Sequence, residues 1–147
     1  MQPKLIVCES TSRWAPAIRR ATFGIRLPLI ETRSLRACGE ELAARPYSIA
    51  AIETSPANLA VVVEMIDRWR RDAIGLRILA LASTPLDHAS DLLLDAGASY
   101  VIESPLKLAP LLRIVERHLR PRPRAEVATL EARLAAELPW GRGTDLG

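Results

Sequence analysis

Five short apolar runs constrain this chain more than any other feature: Lys4 to Cys8, Leu27 to Glu31, Ser48 to Glu53, Leu76 to Ala82 and Tyr100 to Glu103. Each is too short and too continuously apolar to be one face of a surface helix. Such runs suit strands buried on both faces, and hence a parallel sheet covered by helices. Helical segments are expected between them, over about 12–23, 34–44, 55–72, 84–96 and 105–119. Ser12 and Ser34 are candidate N-caps, Ser55-Pro56 and Thr84-Pro85 pair a cap with a Pro at the first helical position, and Gly24 and Gly97 are candidate stops. Leu59, Val62, Val63, Ile66 and Trp69 recur at helical spacing. Five strand–helix units with right-handed crossovers predict an α/β fold, a doubly wound, five-stranded parallel sheet of flavodoxin-like order 2-1-3-4-5. Ligands and chemistry in that fold gather at the carboxyl ends of the strands.

With 147 residues and 49% apolar side chains, the chain can bury one sizeable core. No apolar run approaches the roughly 20 residues that span a bilayer, and the first run is too short for a secretion signal, so a cytoplasmic protein is expected. Cys8 and Cys38 have no metal-ligand spacing and read as free buried thiols. The net charge of +3 rests on Arg, since Lys4 and Lys107 are the two lysines. Arg19-Arg20 and Arg68, Arg70 and Arg71 stand in helix C-terminal halves, where they suit the helix dipole. Without interleaved aromatics they do not predict nucleic-acid binding. There is no G-x-G-x-x-G, P-loop or C-x-x-C, His88 and His118 have no nucleophile paired in sequence, and Ser55, Ser83 and Ser104 sit in no nucleophile elbow. Neither an enzyme nor a cofactor is expected.

The stretch Gly97-Ala-Ser-Tyr-Val-Ile-Glu-Ser-Pro-Leu106 resembles, in its Gly-Ala-x-Tyr and x-Pro landmarks, the last strand of a bacterial response-regulator (CheY-like) receiver domain, which ends in Lys-Pro. With element order and spacing, the resemblance covers about residues 3–120 of a receiver-like domain set at 1–120. It implies a phosphorylation pocket built from two acids after the first strand, an Asp ending the third, a Thr or Ser ending the fourth and a Lys ending the fifth. Here those places hold Cys8 and Glu9, Glu53, Ala82 (with Ser83 next) and Ser104, followed by Pro105. Phosphoryl transfer needs a placed carboxylate, a divalent cation and a cationic partner. Glu53 is one methylene too long, the Cys8 thiol is a poor magnesium ligand, and Ser104 has no charge. The resemblance therefore implies a pseudo-receiver that is not phosphorylated. Glu53 as a mimic of a phosphorylated Asp, and a weak metal site from Glu9 and Glu53, are alternatives. The resemblance also implies a cis Ser104-Pro105 bond.

Residues 121–147 form a second region. Pro121-Arg-Pro-Arg124 acts as a break, and 125–138 reads as a helix with Val127, Leu130, Leu134 and Leu138 in one stripe, followed by a Gly-rich end carrying Trp140. So short a helix is marginal alone, so the stripe is expected against a second copy, the body or a partner. The second copy is favoured because the prolines hold the tail away from the body. The tail is also too short for the DNA-binding domain that often follows a receiver. The expected function is a non-phosphorylatable protein-interaction or scaffolding module in a bacterial signalling or regulatory pathway. Its partner would meet the fourth helix, fifth strand and fifth helix, or the tail, with a homodimer possible. Leu92, Leu93, Tyr100, Leu112 and Val115 are expected in or near the core beneath that face. The alternatives are a working single-domain response regulator with an atypical site, and a small-ligand-binding flavodoxin-like module.

Overall fold

The structure is a computed structural model that describes residues 2–120 apart from 73, 74, 83, 85 and 87. Five strands, β1 (Leu5–Cys8), β2 (Leu29–Thr32), β3 (Ile49–Thr54), β4 (Arg77–Ala82) and β5 (Tyr100–Ile102), form one parallel sheet of order β2-β1-β3-β4-β5. Helices α1 (Trp14–Ala21), α2 (Leu35–Ala44), α3 (Leu59–Asp72), α4 (Ala89–Ala96) and α5 (Ala109–Leu119) alternate with them.

Side chains alternate across the pleat and so divide the core in two. Ile6, Cys8, Ala50, Ile52, Ile78 and Ala80 meet α2, α3 and α4 through Cys38, Leu42, Val62, Ile66, Trp69 and Leu93. Leu5, Val7, Ile49, Ala51, Leu79 and Leu81 meet α1 and α5 through Trp14, Ile18, Leu111 and Val115. The central strands have apolar neighbours on both faces, which is why their sequences are continuously apolar.

Three expectations need correction. Arg13, not Ser12, is the N-cap of α1; the Ser12 hydroxyl instead accepts from Arg33 at 2.8 Å. Ser55-Pro56 does not open α3, which begins at Leu59; Asn58 N–H donates to the Ser55 carbonyl at 3.2 Å, so Pro56 is the second residue of a turn. The Ser104-Pro105 bond is trans. There Lys107 N–H donates to the Ser104 carbonyl at 3.0 Å, and a Pro in the second turn position is compatible with trans geometry. The Thr84-Pro85 signal falls partly outside the described residues. Ser34 does cap α2, accepting from Ala37 N–H at 3.1 Å. Among the described residues no helix is long and apolar enough to cross a membrane.

Candidate functional site

Sheet order reverses between β1 and β3, so the crevice of the fold lies past Cys8 and Ile52, which pair across the two strands. The next residue on each chain is a glutamate. Glu9 is 1% exposed and points at the start of α1. Its carboxylate accepts from the backbone N–H groups of Arg13, Trp14 (2.8 Å) and Ala15 (3.1 Å). These donors belong to the turn that opens a helix, where N–H groups lack intrahelical partners and a negative charge is favoured. The capping oxygen expected from Ser12 therefore comes from Glu9, five residues before the helix. Nothing in local sequence signals this, because usual caps reach only two or three residues ahead.

Glu53 is partly buried, and its Oε1 accepts from the Ser10 hydroxyl at 3.0 Å. Ser10 N–H approaches the same oxygen at 3.5 Å. The carbonyl of Glu53 accepts from Asn58 Nδ2 at 3.0 Å, which ties the end of β3 to the start of α3. Ser10 and Asn58 were not anticipated from sequence; both are polar loop residues of ordinary type.

Cys8 points to the α2 side of the sheet, beside Cys38, and both thiols are free and buried. The two sulfurs share one apolar pocket, and the interaction between them acts on both thiols. Interaction with Cys8 and burial push the Cys38 thiol above its ordinary value, while interaction with Cys38, against opposing burial, holds Cys8 below it. Thr32, which pairs with Cys8 across β1 and β2, donates its hydroxyl to the Val7 carbonyl at 3.2 Å.

Ala82, buried at the end of β4, pairs with Thr54, whose hydroxyl donates to the Ile52 carbonyl at 3.1 Å. Ser83 lies outside the described residues. The Ser104 hydroxyl accepts from Leu106 N–H at 3.1 Å within its own turn, and Pro105 continues that turn. Cys8, Glu9 and Glu53 are thus brought together, with charge from both glutamates felt at Cys8. Ala82 and Ser104 stand at the same edge of the sheet on β4 and just past β5.

Magnesium takes oxygen ligands in a near-octahedral shell. Glu9 has its oxygens occupied by backbone donors, Glu53 is turned to Ser10, and Cys8 offers sulfur on the other face of the sheet, so as placed these residues do not fit that ion. Among the described residues no group of three His, Cys, Asp or Glu side chains converges on a common point.

Of the residues placed beneath the fourth-helix face, Leu93 and Val115 are buried and Leu112 is partly so. Leu92 and Tyr100 are not in the core: they are 55% and 43% exposed, because Leu92 falls on the outward side of α4 and β5 is an edge strand. Leu94 and Leu106 join them as exposed apolar side chains. Val127, Leu130, Leu134, Leu138 and Trp140 lie outside the described residues.

No family model matches the chain, and no curated protein matches it. Solved structures do. A response regulator from Thermotoga maritima superposes with a TM-score of 0.69 at 16% identity, covering 82% of this chain and 100% of that one. A CheY-like protein (tadZ) from Pseudomonas aeruginosa gives 0.65 at 13% identity, covering 84% and 98%. An atypical orphan response regulator, described as having a phosphorylation-independent regulatory mechanism, gives 0.63 at 16% identity, covering 80% and 95%. The chain has the CheY-like receiver fold.

Proposed function

We propose that this chain is a receiver-like protein-interaction or scaffolding module of a bacterial signalling pathway, working in the cytoplasm without phosphorylation. The observation that carries this reading is the use of Glu9. The acid that a receiver would need for its cation is buried and bonded to the N–H groups that open α1. Glu53 is held by Ser10, and Ser104 offers a hydroxyl already used in its own turn. No cationic side chain is bonded to either glutamate among the described residues. Electrostatic stabilisation of a transferred phosphoryl group needs such partners already in place. The orphan regulator described as phosphorylation-independent has the same fold. Signal then leaves through protein contact, and Leu92, Leu94, Tyr100 and Leu106 are exposed apolar side chains on α4, β5 and the loop before α5 that such a contact can cover.

Incubation with acetyl phosphate and magnesium, read by intact mass spectrometry, tests the reading. The expected mass is unchanged. A stoichiometric gain of one phosphoryl group that disappears in Glu53→Gln overturns it and makes the chain a working regulator with an atypical acceptor.

A further inference from the structure

At the amino-terminal end of the strands, opposite the end that carries Glu9 and Glu53, lies a groove of about 1060 Å³. Its floor and walls are apolar, with Ile25, Leu27, Pro28, Tyr47, Leu112 and Leu119 among them. Ile25 and Tyr47 are exposed there. Its rim is basic: Arg26, Arg77, Arg117 and Arg120 stand around it, against Glu116 as the acid among the lining residues described. Arg120 is in reach of Glu116 at 3.7 Å, whereas Arg26, Arg77 and Arg117 have no ion pair among the described residues. Helix dipole accounts for Arg117 in the last turn of α5, but not for Arg26 or Arg77, which belong to no helix.

We propose that this groove is the seat of the chain's own segment 125–138. Three features point to that occupant. The described chain ends on the groove itself: Arg120 lines it, and the backbone leaves α5 there in an extended conformation. The groove follows α5 from Leu112 to Arg120, so a segment turning back beside α5 meets it along its length. The segment matches the groove in kind, because Val127, Leu130, Leu134 and Leu138 form one apolar stripe flanked by Glu126, Glu131 and Glu137, against a single Arg133. An apolar stripe with acidic flanks is the complement of an apolar groove with a basic rim. A connection of four residues, 121–124, spans at most about 14 Å and holds the stripe near its seat at an effective concentration on the order of millimolar. Pro121 and Pro123 favour a second copy on sequence alone, but a second copy has no such linkage to the groove, and that linkage turns the choice to the chain's own body.

Hydrogen exchange on the full chain tests this. In the wild type, residues 125–138 and the groove residues 25–28 and 115–119 are expected to be protected at every protein concentration, in a species that sediments as a monomer. Leu130→Asp with Leu134→Asp is expected to speed exchange in both sets by about tenfold or more while the strands stay protected. Arg26→Glu with Arg77→Glu should loosen 125–138 in the same way, and Glu131→Arg added to that pair should restore part of the protection. Protection of 125–138 that appears only in a dimer, or tail variants that leave the groove unchanged while the strands remain protected, would overturn the proposal. Protection gained only on adding another protein would do the same.

Discussion

Glu9 concentrates three demands in one side chain: it is charged, nearly inaccessible, and placed at the positive end of α1. Burying a carboxylate is costly unless hydrogen bonds compensate, and here backbone donors from three successive residues do so. Removing the acceptor leaves those donors without the partner they have in the fold. Glu9→Ala is therefore expected to destabilise the fold by about 3 kcal/mol, beyond an ordinary cap deletion. Glu9→Gln, which keeps one acceptor oxygen but turns an amide donor toward N–H groups, should lose roughly half as much. Urea denaturation of the full chain measures both. A Glu9→Ala midpoint equal to that of the wild type would show that this carboxylate does not hold α1. The acid itself was legible in the sequence at the end of the first strand. Its task was not, since that depends on where α1 begins in space.

Among the elements, order and type follow closely from the apolar runs, and the disagreements fall at helix starts. A Pro after Ser has the same φ whether it opens a helix or sits second in a turn, so local sequence cannot separate the two. Packing separates them: at Pro56 and Pro105 the chain turns first, and α3 and α5 begin three and four residues later. The stop before β5 is different. Gly97 has φ +129, a conformation L side chains rarely adopt, and a Cβ there would sit 2.5 Å from the Arg70 side chain on α3. Arg70 can move, but the backbone cannot, because Gly97 and Ala98 N–H groups both close α4 on the Leu93 carbonyl. Gly97→Ala is expected to cost about 1–3 kcal/mol, seen as a lower thermal midpoint. An unchanged midpoint would mean that the end of α4 relaxes freely.

Over the whole molecule, the proposed function rests on surfaces rather than on a reaction centre. Leu106 is 93% exposed, within the turn that Ser104 opens, and Tyr100 is on the edge strand β5. Exposed positions of this kind contribute little to folding, so Leu106→Ser should change stability by no more than about 0.5 kcal/mol. If the α4–β5–α5 face carries the partner, the same variant should release proteins that the immobilised full chain retains from native cells, and Tyr100→Ala should release the same ones. Retention identical to wild type in both variants would move the contact away from this face.

The sequence by itself determined the architecture: strands buried on both faces must be apolar throughout, and five of them alternating with helices leave few ways to wind a parallel sheet. It also placed Cys8, Glu9, Glu53, Ala82 and Ser104 at the strand ends, since a strand's end is where its apolar run stops. Only the tertiary structure decided what those residues do. Glu9 reaches α1 and Glu53 reaches Ser10 because the chain's return brings residues 9, 10 and 53 into one crevice, and distance through space is not written in local spacing. The basic groove beside α5 is the clearest case. Ile25, Tyr47, Arg77 and Leu119 come from four separate parts of the chain, each unremarked alone, and become a surface only when the sheet sets their loops side by side.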